Sequence, residues 1–202
     1  DVAVELPRGR FGFAEETGAG LARAVARGLA PLEGEAAGFG LGVGRLLIEE
    51  DAPHREHSVC AEAARLGIST SVHACIGTDI VHMHPDCDPA AIGLASHLDF
   101  RRVCGFVHGM AGGVWINVGS AVVLPEVFLK AVSVALNLGA DLESSTTANL
   151  DMIRQYRAET NVVRRPPGRG LSIIGQHEVL LPVLRAALLT RLSEAGWEAK
   201  TS

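Results

Sequence analysis

Apolar residues recur at helical spacing over most of the chain. This pattern predicts six helices, over residues 14–30, 36–50, 57–66, 89–110, 125–137 and 178–194. Four short stretches between or after them predict strands, at residues 69–76, 113–118, 141–145 and 171–174. Because strands and helices alternate, we expect an α/β fold whose parallel sheet is built from right-handed crossover units.

A small polar loop follows each predicted strand. These loops are Gly77-Thr78-Asp79, Gly119-Ser120-Ala121, residues 146–149 and residues 175–178. In open α/β sheets, ligands bind at the carboxyl ends of the strands. The sequence therefore predicts one ligand-binding rim formed by the four loops.

Composition and charge exclude several classes of protein. The chain has 202 residues, of which 48% are hydrophobic and 20% are charged, so it is not intrinsically disordered. The net charge of −5 excludes a global basic field for nucleic acid. No apolar run reaches the length of roughly 18 residues that a membrane span needs. We expect neither a nucleic acid nor a membrane as partner.

Length and cysteine usage indicate one domain in a reducing compartment. Residues 1–202 are long enough for a single α/β domain, and residues 195–202 are expected to form a loose tail. Four cysteines without a CxxC pair are typical of reduced thiols, which predicts a cytoplasmic protein. The chain begins at Asp1 without a signal-peptide pattern, so we expect a processed chain that lacks an N-terminal portion.

The loop at residues 77–88 holds the densest cluster of reactive side chains. Asp79 is a candidate hydrogen-bond acceptor for a substrate hydroxyl or amine, and His82 or His84 is a candidate for proton transfer near neutral pH. The same histidines, with Asp86, Cys87 and Asp88, are also candidate metal ligands. A third interpretation is that each histidine makes only a structural hydrogen bond.

The later loops carry candidate ligand contacts. Gly119-Ser120 offers backbone N–H groups and a hydroxyl to an anion, or forms a simple tight turn. Residues 146–149 with Asp151 resemble a strand-end loop that binds a ribose or a nicotinamide amide, or they cap a helix. Arg164-Arg165 is an anion clamp or a solvated turn, and His177-Glu178 is catalytic or a helix cap.

The order of several motifs resembles the deoxyhypusine-synthase-like superfamily, in particular its divergent bacterial branch. The resemblance covers most of the chain from about Arg10 onward. It rests on GTDIVHMHP at 77–85, INVGSAVVLPEVFLKA at 116–131, NLGAD at 137–141, TTANLDM at 146–152, NVVRRP at 161–166 and GQHE at 175–178. It implies a Rossmann-like NAD-binding fold with helices on both faces of the sheet. It also implies a homo-oligomer with sites shared between subunits.

Several positions match the family's cofactor pocket. The loop beginning at Gly77 matches its aspartate-glycine loop, the loop beginning at Gly119 matches its triple-glycine loop, and Thr147-Ala148 matches the pair that contacts NAD. The cofactor-binding residues that the resemblance implies are Gly77, Thr78, Gly119, Ser120, Ala121, Thr147, Ala148, Asn149 and Gln176.

The substrate half of the site departs from the synthases. Leu124, Pro125 and Glu126 stand where the family has a lysine and two histidines, and arginines replace the imine-forming lysine downstream. A guanidinium stays protonated and forms no imine, so we do not expect deoxyhypusine synthesis. The resemblance instead implies an NAD-binding enzyme that oxidises a small amine or alcohol by hydride transfer. Asp79, with His82 or His84, and Glu126 are the candidate catalytic residues.

Two alternatives remain open at this stage. One is a non-catalytic scaffold or sensor that keeps NAD binding. The other is a metal-assisted hydrolase that uses the loop of His82 and His84. In the leading interpretation the partners are a small amine or polyol substrate and further copies of the chain, with the missing N-terminal segment as a separate chain.

Overall fold

The computed structural model describes residues 2–11, 15–32 and 35–197, which divide into two compact units, residues 1–106 and 107–202. Most of the predicted loose tail, residues 198–202, lies outside the described residues. None of the helices in the described ranges is long and apolar enough to cross a membrane.

The first unit is built mainly from helices. Its elements are α1 (Val2–Glu5), α2 (Glu15–Leu29), the short strands β1 (Pro31–Leu32) and β2 (Glu35–Ala36), α3 (Phe39–Glu49), α4 (Val59–Arg65) and α5 (Pro89–His108). Strands β1 and β2 pair antiparallel. Short 3₁₀ turns cover Leu6–Arg8, Arg55–His57 and Ile80–Met83. The predicted helices of this unit are confirmed, with ends shifted by a few residues.

Helix α5 contributes to the core of the first unit. Ile92 and Ala95 of α5 are buried in one cluster with Val25 of α2 and Phe39 of α3. The partly buried side chains of the segment that precedes α5 also pack against this cluster. Apolar positions at helical spacing therefore face a common interior, as amphipathic helices require.

The strand predicted over residues 69–76 is wrong, because within the described ranges this segment pairs with no strand. Its backbone instead binds side chains of α5. The carboxylate of Asp99 accepts the Val72 N–H at 2.8 Å, and the Ser96 hydroxyl accepts the Ala74 N–H at 3.0 Å and donates to the Val72 carbonyl at 3.2 Å. These three backbone groups are thus satisfied by side chains instead of by a neighbouring strand.

The second unit carries a parallel sheet. Its elements are β3 (Val114–Val118), α6 (Val123–Asn137), β4 (Thr146–Asp151), α7 (Tyr156–Ala158) continued by a π-helical turn (Glu159–Arg164), β5 (Arg169–Ile174) and α8 (His177–Glu194). The strands pair in the order β3-β4-β5, all parallel. The α/β class is confirmed, with a small three-stranded sheet flanked by helices.

Strand β4 lies a few residues later than predicted. The strand was expected at residues 141–145 with a loop at 146–149, but the polar stretch that begins at Thr146 is the strand itself. Thr147 and Asn149 are buried in the middle of the sheet, so neither caps a helix. A central strand can contain such residues where neighbouring strands supply their hydrogen bonds.

Helix α6 and the π-helical turn pack on one face of this sheet. The Trp115 ring of β3 stacks on Phe128 of α6, with ring centroids 4.4 Å apart. On β5, a Cβ at Gly170 would overlap the backbone carbonyl of Val163 in the π-helical turn. The close approach of this turn to the strand therefore requires glycine at position 170.

Candidate functional site

The carboxyl ends of β3, β4 and β5 meet at one edge of the sheet, which we call the carboxyl edge. It comprises Gly119-Ser120 after β3, Asp151 at the end of β4, and residues 175–177 after β5. Ligands of parallel α/β sheets bind at this edge. The geometry of the site follows from the turn after β3 and from the last residues of β4.

The turn after β3 leads into α6. Gly119 has φ +66°, in the left-handed region that glycine adopts without strain, and its N–H donates to the Leu150 carbonyl at 3.0 Å. The Ser120 hydroxyl accepts the Leu124 N–H at 3.2 Å in the first turn of the helix. The positive end of the helix dipole makes this turn suitable for an anionic group.

Two asparagines of neighbouring strands bind each other behind this turn. The Nδ2 of Asn117 donates to Asn149 Oδ1 at 2.7 Å and to the Ser120 carbonyl at 2.9 Å. Asn149 is 0% exposed, and its own Nδ2 has no hydrogen-bond partner among the described residues. Since a buried amide without a partner is costly, the site has a donor that a ligand can satisfy.

Asp151 supplies the matching acceptor at the end of the same strand. It is 5% exposed, and its Oδ1 accepts the Met152 N–H at 2.7 Å. Its buried Oδ2 has no partner in the described part of the chain. Residues 149 and 151 lie on the same face of β4, so one strand end presents both an unused donor and an unused acceptor.

His177 begins α8 and lies against the turn after β3. Its Nε2 is 3.1 Å from the Leu150 carbonyl, and a Cβ at Gly119 would lie 3.0 Å from its Cε1 atom. Because a carbonyl oxygen only accepts, Nε2 is the protonated nitrogen in this contact. The Leu150 carbonyl thus binds both the turn and the imidazole.

The carboxylate of Glu126, on α6, accepts hydrogen bonds from two cationic side chains and one amide. Lys130 Nζ donates to its Oε2 at 2.7 Å, while Arg157 Nη1 and Asn161 Nδ2 donate to its Oε1 at 2.6 and 2.9 Å. The hydrogen bonds from Lys130 and then Arg157 lower the pKa of Glu126 to about 2. Glu126 is therefore a carboxylate near neutral pH, and a substrate amine would compete with three donors.

The loop at residues 77–82 belongs to the first unit and is closed by its own hydrogen bonds. Asp79 Oδ2 accepts the Cys75 N–H at 2.8 Å, and the Thr78 hydroxyl donates to the Cys75 carbonyl at 2.9 Å. His82 Nδ1 accepts the Gly77 N–H at 3.2 Å, and its buried Nε2 has no partner within the described ranges. The lone pair of His82 Nδ1 therefore already accepts a hydrogen bond.

His84 is a buried side chain that packs on α2. A Cβ at Gly18 of α2 would overlap its ring, and its Nδ1 accepts the Asp86 N–H at 3.2 Å. Among the described residues, no three His, Cys, Asp or Glu side chains are grouped so as to hold a metal ion. The contacts of this histidine are those expected of a structural hydrogen bond.

The structure brings some of the predicted site residues together at the carboxyl edge. These are Gly119, Ser120 and Gln176, with Ala121 next to them in the chain, while Asn149 lies inside β4, two residues before its end, and binds Asn117 behind the turn. Thr147 and Ala148 are buried inside β4 instead of in a loop. The remaining predicted residues of the first unit, Gly77, Thr78, Asp79, His82 and His84, surround the 3₁₀ turn before α5.

Asn117 was not among the residues predicted from the sequence. A single polar residue in the apolar stretch GVWINV, directly before the Gly-Ser turn, was the available signal. The sequence suggests Asp151 as part of a ribose- or nicotinamide-binding loop, and His177 as a catalytic residue or a helix cap, but neither is among its predicted site residues. In comparisons with known proteins, no family model, curated protein or solved structure matches this chain.

Proposed function

We propose that the second unit binds NAD at the carboxyl edge, and that the protein oxidises a small amine or alcohol by hydride transfer. The observation that carries this proposal is the pair of buried, unpartnered groups on β4, Asn149 Nδ2 and Asp151 Oδ2. A ligand that satisfies both must present an acceptor and a donor close together. The hydroxyls of a ribose and the carboxamide of nicotinamide both do so.

The order of elements supports the same proposal. Three parallel strands in sequential order, joined by α6 and by α7 with its π-helical turn, correspond to one mononucleotide-binding half of a doubly wound sheet. In this arrangement the turn at Gly119-Ser120 precedes the helix that follows the first strand. Its position suits a phosphate group.

The donor set of the carboxyl edge fits this cofactor. Asn149 would donate to a hydroxyl or carbonyl oxygen, Asp151 would accept from a hydroxyl or amide N–H, and the turn at Ser120 would bind the phosphates. When bound, the nicotinamide ring supplies the hydride acceptor. Glu126, on α6 of the same unit, stays a candidate for substrate contact, and Asp79, His82 and His84 stay candidates on the sequence alone. Assembly as a homo-oligomer and a cytoplasmic location are part of the same proposal.

Calorimetric titration of NAD⁺ into the chain tests the cofactor site. Asp151→Asn keeps the shape of the side chain and its contact with Met152, but it removes the free carboxylate oxygen. Because a hydrogen bond to a charged group contributes about 1.5–3 kcal/mol, we expect affinity to fall by roughly 10–150-fold. Asp141→Asn, at an exposed carboxylate of the same unit, is the matched control and should bind as the wild type does.

Three outcomes of these measurements are informative. Absence of heat with the wild-type chain refutes the cofactor proposal. Equal NAD⁺ affinity in the Asp151→Asn variant shows that NAD⁺ binds elsewhere. NAD⁺ binding without NADH formation over a panel of amines and polyols favours the non-catalytic scaffold or sensor.

A further inference from the structure

The hydrogen bonds of the histidines distinguish His177 from the two histidines that the sequence favoured. His82 and His84 each accept a backbone N–H through Nδ1. The lone pair that a base needs is therefore engaged in both rings. His177 is arranged in the opposite sense, because its contact with the Leu150 carbonyl uses its N–H group.

The contact with Leu150 determines the tautomer of His177. The carbonyl accepts from Nε2, so a neutral ring carries its hydrogen there and leaves the lone pair on Nδ1. In the described part of the chain, Nδ1 makes no hydrogen bond. A backbone carbonyl that orients an imidazole in this way leaves the other nitrogen ready to accept a proton.

The surroundings of His177 keep the ring in place at the carboxyl edge. The Leu150 carbonyl belongs to β4 and also accepts the Gly119 N–H, so the turn after β3 and the ring share one acceptor. The ring lies beside Gly119, where the Cβ of a larger residue would meet its Cε1 atom at 3.0 Å. His177 is only partly exposed, and the next residue of β4, Asp151, carries the unpartnered carboxylate oxygen.

We propose that His177 is the proton-accepting residue of the site, a role that rests on the proposed function. With NAD⁺ bound, the nicotinamide would accept a substrate C–H hydrogen together with its electron pair. The proton of the adjacent hydroxyl or ammonium group passes to Nδ1 of His177, and a C=O or C=N bond forms in the substrate. The products are NADH, the oxidised substrate and an imidazolium group, so atoms and charge balance.

Nuclear magnetic resonance of the histidine rings tests the arrangement without relying on turnover. Long-range ¹H–¹⁵N spectra of the full chain, assigned with a His177→Gln variant, should show the neutral His177 ring protonated on Nε2. Titration with NAD⁺ should shift its Cε1–H signal until saturation. The signal of His108, an exposed histidine at the end of α5, is the internal control and should stay unchanged.

Two substitutions separate a base from a structural contact. The amide of His177→Gln can still donate to the Leu150 carbonyl, but it has no basic nitrogen. We expect unchanged NAD⁺ affinity and thermal midpoint, and NADH production lowered by about 10²–10⁴-fold. His177→Ala should lose as much activity and also lower the thermal midpoint. His108→Gln is the control for both variants.

The results of these experiments distinguish a failure of the role of His177 from a failure of the proposed NAD⁺ site. An Nδ1-protonated neutral ring, a His177 signal unmoved by bound NAD⁺, or a His177→Gln variant with wild-type turnover overturns the role of His177 alone. NAD⁺ binding without turnover of any amine or alcohol in the panel also overturns it, since no proton is then released. If calorimetry detects no NAD⁺ binding, the proposed function fails first and His177 falls with it.

Discussion

Replacement of Asp99 probes the contact that positions the segment before the 77–82 loop. Asp99 is 0% exposed on α5, and its Oδ2 accepts the N–H groups of Gly40, at the start of α3, and of Val72 at 2.8 Å each. Arg102 Nη1 lies 3.3 Å from its Oδ1 and also donates to the Ala37 carbonyl. One carboxylate thus joins α5, α3 and an extended segment.

The expected loss of stability follows from the hydrogen-bond donors that lose Asp99 as their acceptor. Asp99→Ala leaves two N–H donors without their acceptor and removes the carboxylate partner of Arg102, whose guanidinium keeps only backbone carbonyls. We therefore expect a loss of about 3–5 kcal/mol in the free energy of unfolding. Asp99→Asn keeps one oxygen that can accept both N–H groups and removes a buried charge. Its loss should therefore be smaller, about 1–3 kcal/mol.

The pKa of Asp99 sets the pH dependence of this difference. Burial raises the pKa of Asp99 above its usual value and outweighs the hydrogen bonds from Val72 and Gly40, which lower it. The folded state consequently binds more protons than the unfolded state, and the contribution of Asp99 to stability falls as pH rises from the usual carboxyl range toward the raised pKa. Asp99→Asn should then cost less at pH 7 than at pH 4.

Urea unfolding of the three proteins, at both pH values, measures these differences. Arg65→Ala, in an exposed ion pair with Glu62, is a control that should cost little. The reasoning is refuted if Asp99→Ala costs less than about 1 kcal/mol, since unpaired buried donors cost at least that much. It is also refuted if Asp99→Asn costs as much as Asp99→Ala at both pH values.

Two further predictions concern packing and charge. Gly170→Ala should destabilise the protein by about 1–3 kcal/mol in urea unfolding, because the new methyl overlaps the Val163 carbonyl. Gly105→Ala, in open space on helix α5, should instead stabilise by about 0.5–1 kcal/mol, and a similar sign for both would contradict this reasoning. A ¹³C titration should give Glu126 a pKa of about 2. Its depressed pKa contributes stability above the usual carboxyl range that is lost as pH falls toward 2, and a midpoint in the usual range would exclude the contacts described.

Hydrophobic periodicity was sufficient to predict most helices and two of the strands of the sheet. The spacing of apolar residues within α6 and within β3 is visible in a single sequence, so both elements could be predicted from it. The segment at 69–76 has the alternation of a strand, and Val72 and Ala74 do pack inward. Its hydrogen-bond partners, however, are side chains of α5, and periodicity contains no information about which acceptor a backbone N–H meets.

The polar site was harder to predict for the same reason. The sequence predicts Thr147 and Asn149 in a loop, because a polar side chain buried in a central strand costs free energy unless it is hydrogen-bonded. The partner of Asn149 is Asn117 on the neighbouring strand, 32 residues away, and only the fold brings the two together. The free lone pair of His177 likewise depends on a carbonyl of β4, which no local motif specifies.

The sequential order of the strands also bears on how the second unit forms. Each strand pairs with the next one in the chain, so no strand is inserted between two that have already paired. Paired residues 114 and 146, and then 146 and 169, lie at comparable separations, so the loop-closure entropies differ by only on the order of 0.3 kcal/mol. Chain connectivity therefore favours neither pairing. Stacking of Trp115 on Phe128 stabilises the pairing of β3 with β4. The close approach of the π-helical turn to Gly170 stabilises the pairing of β4 with β5.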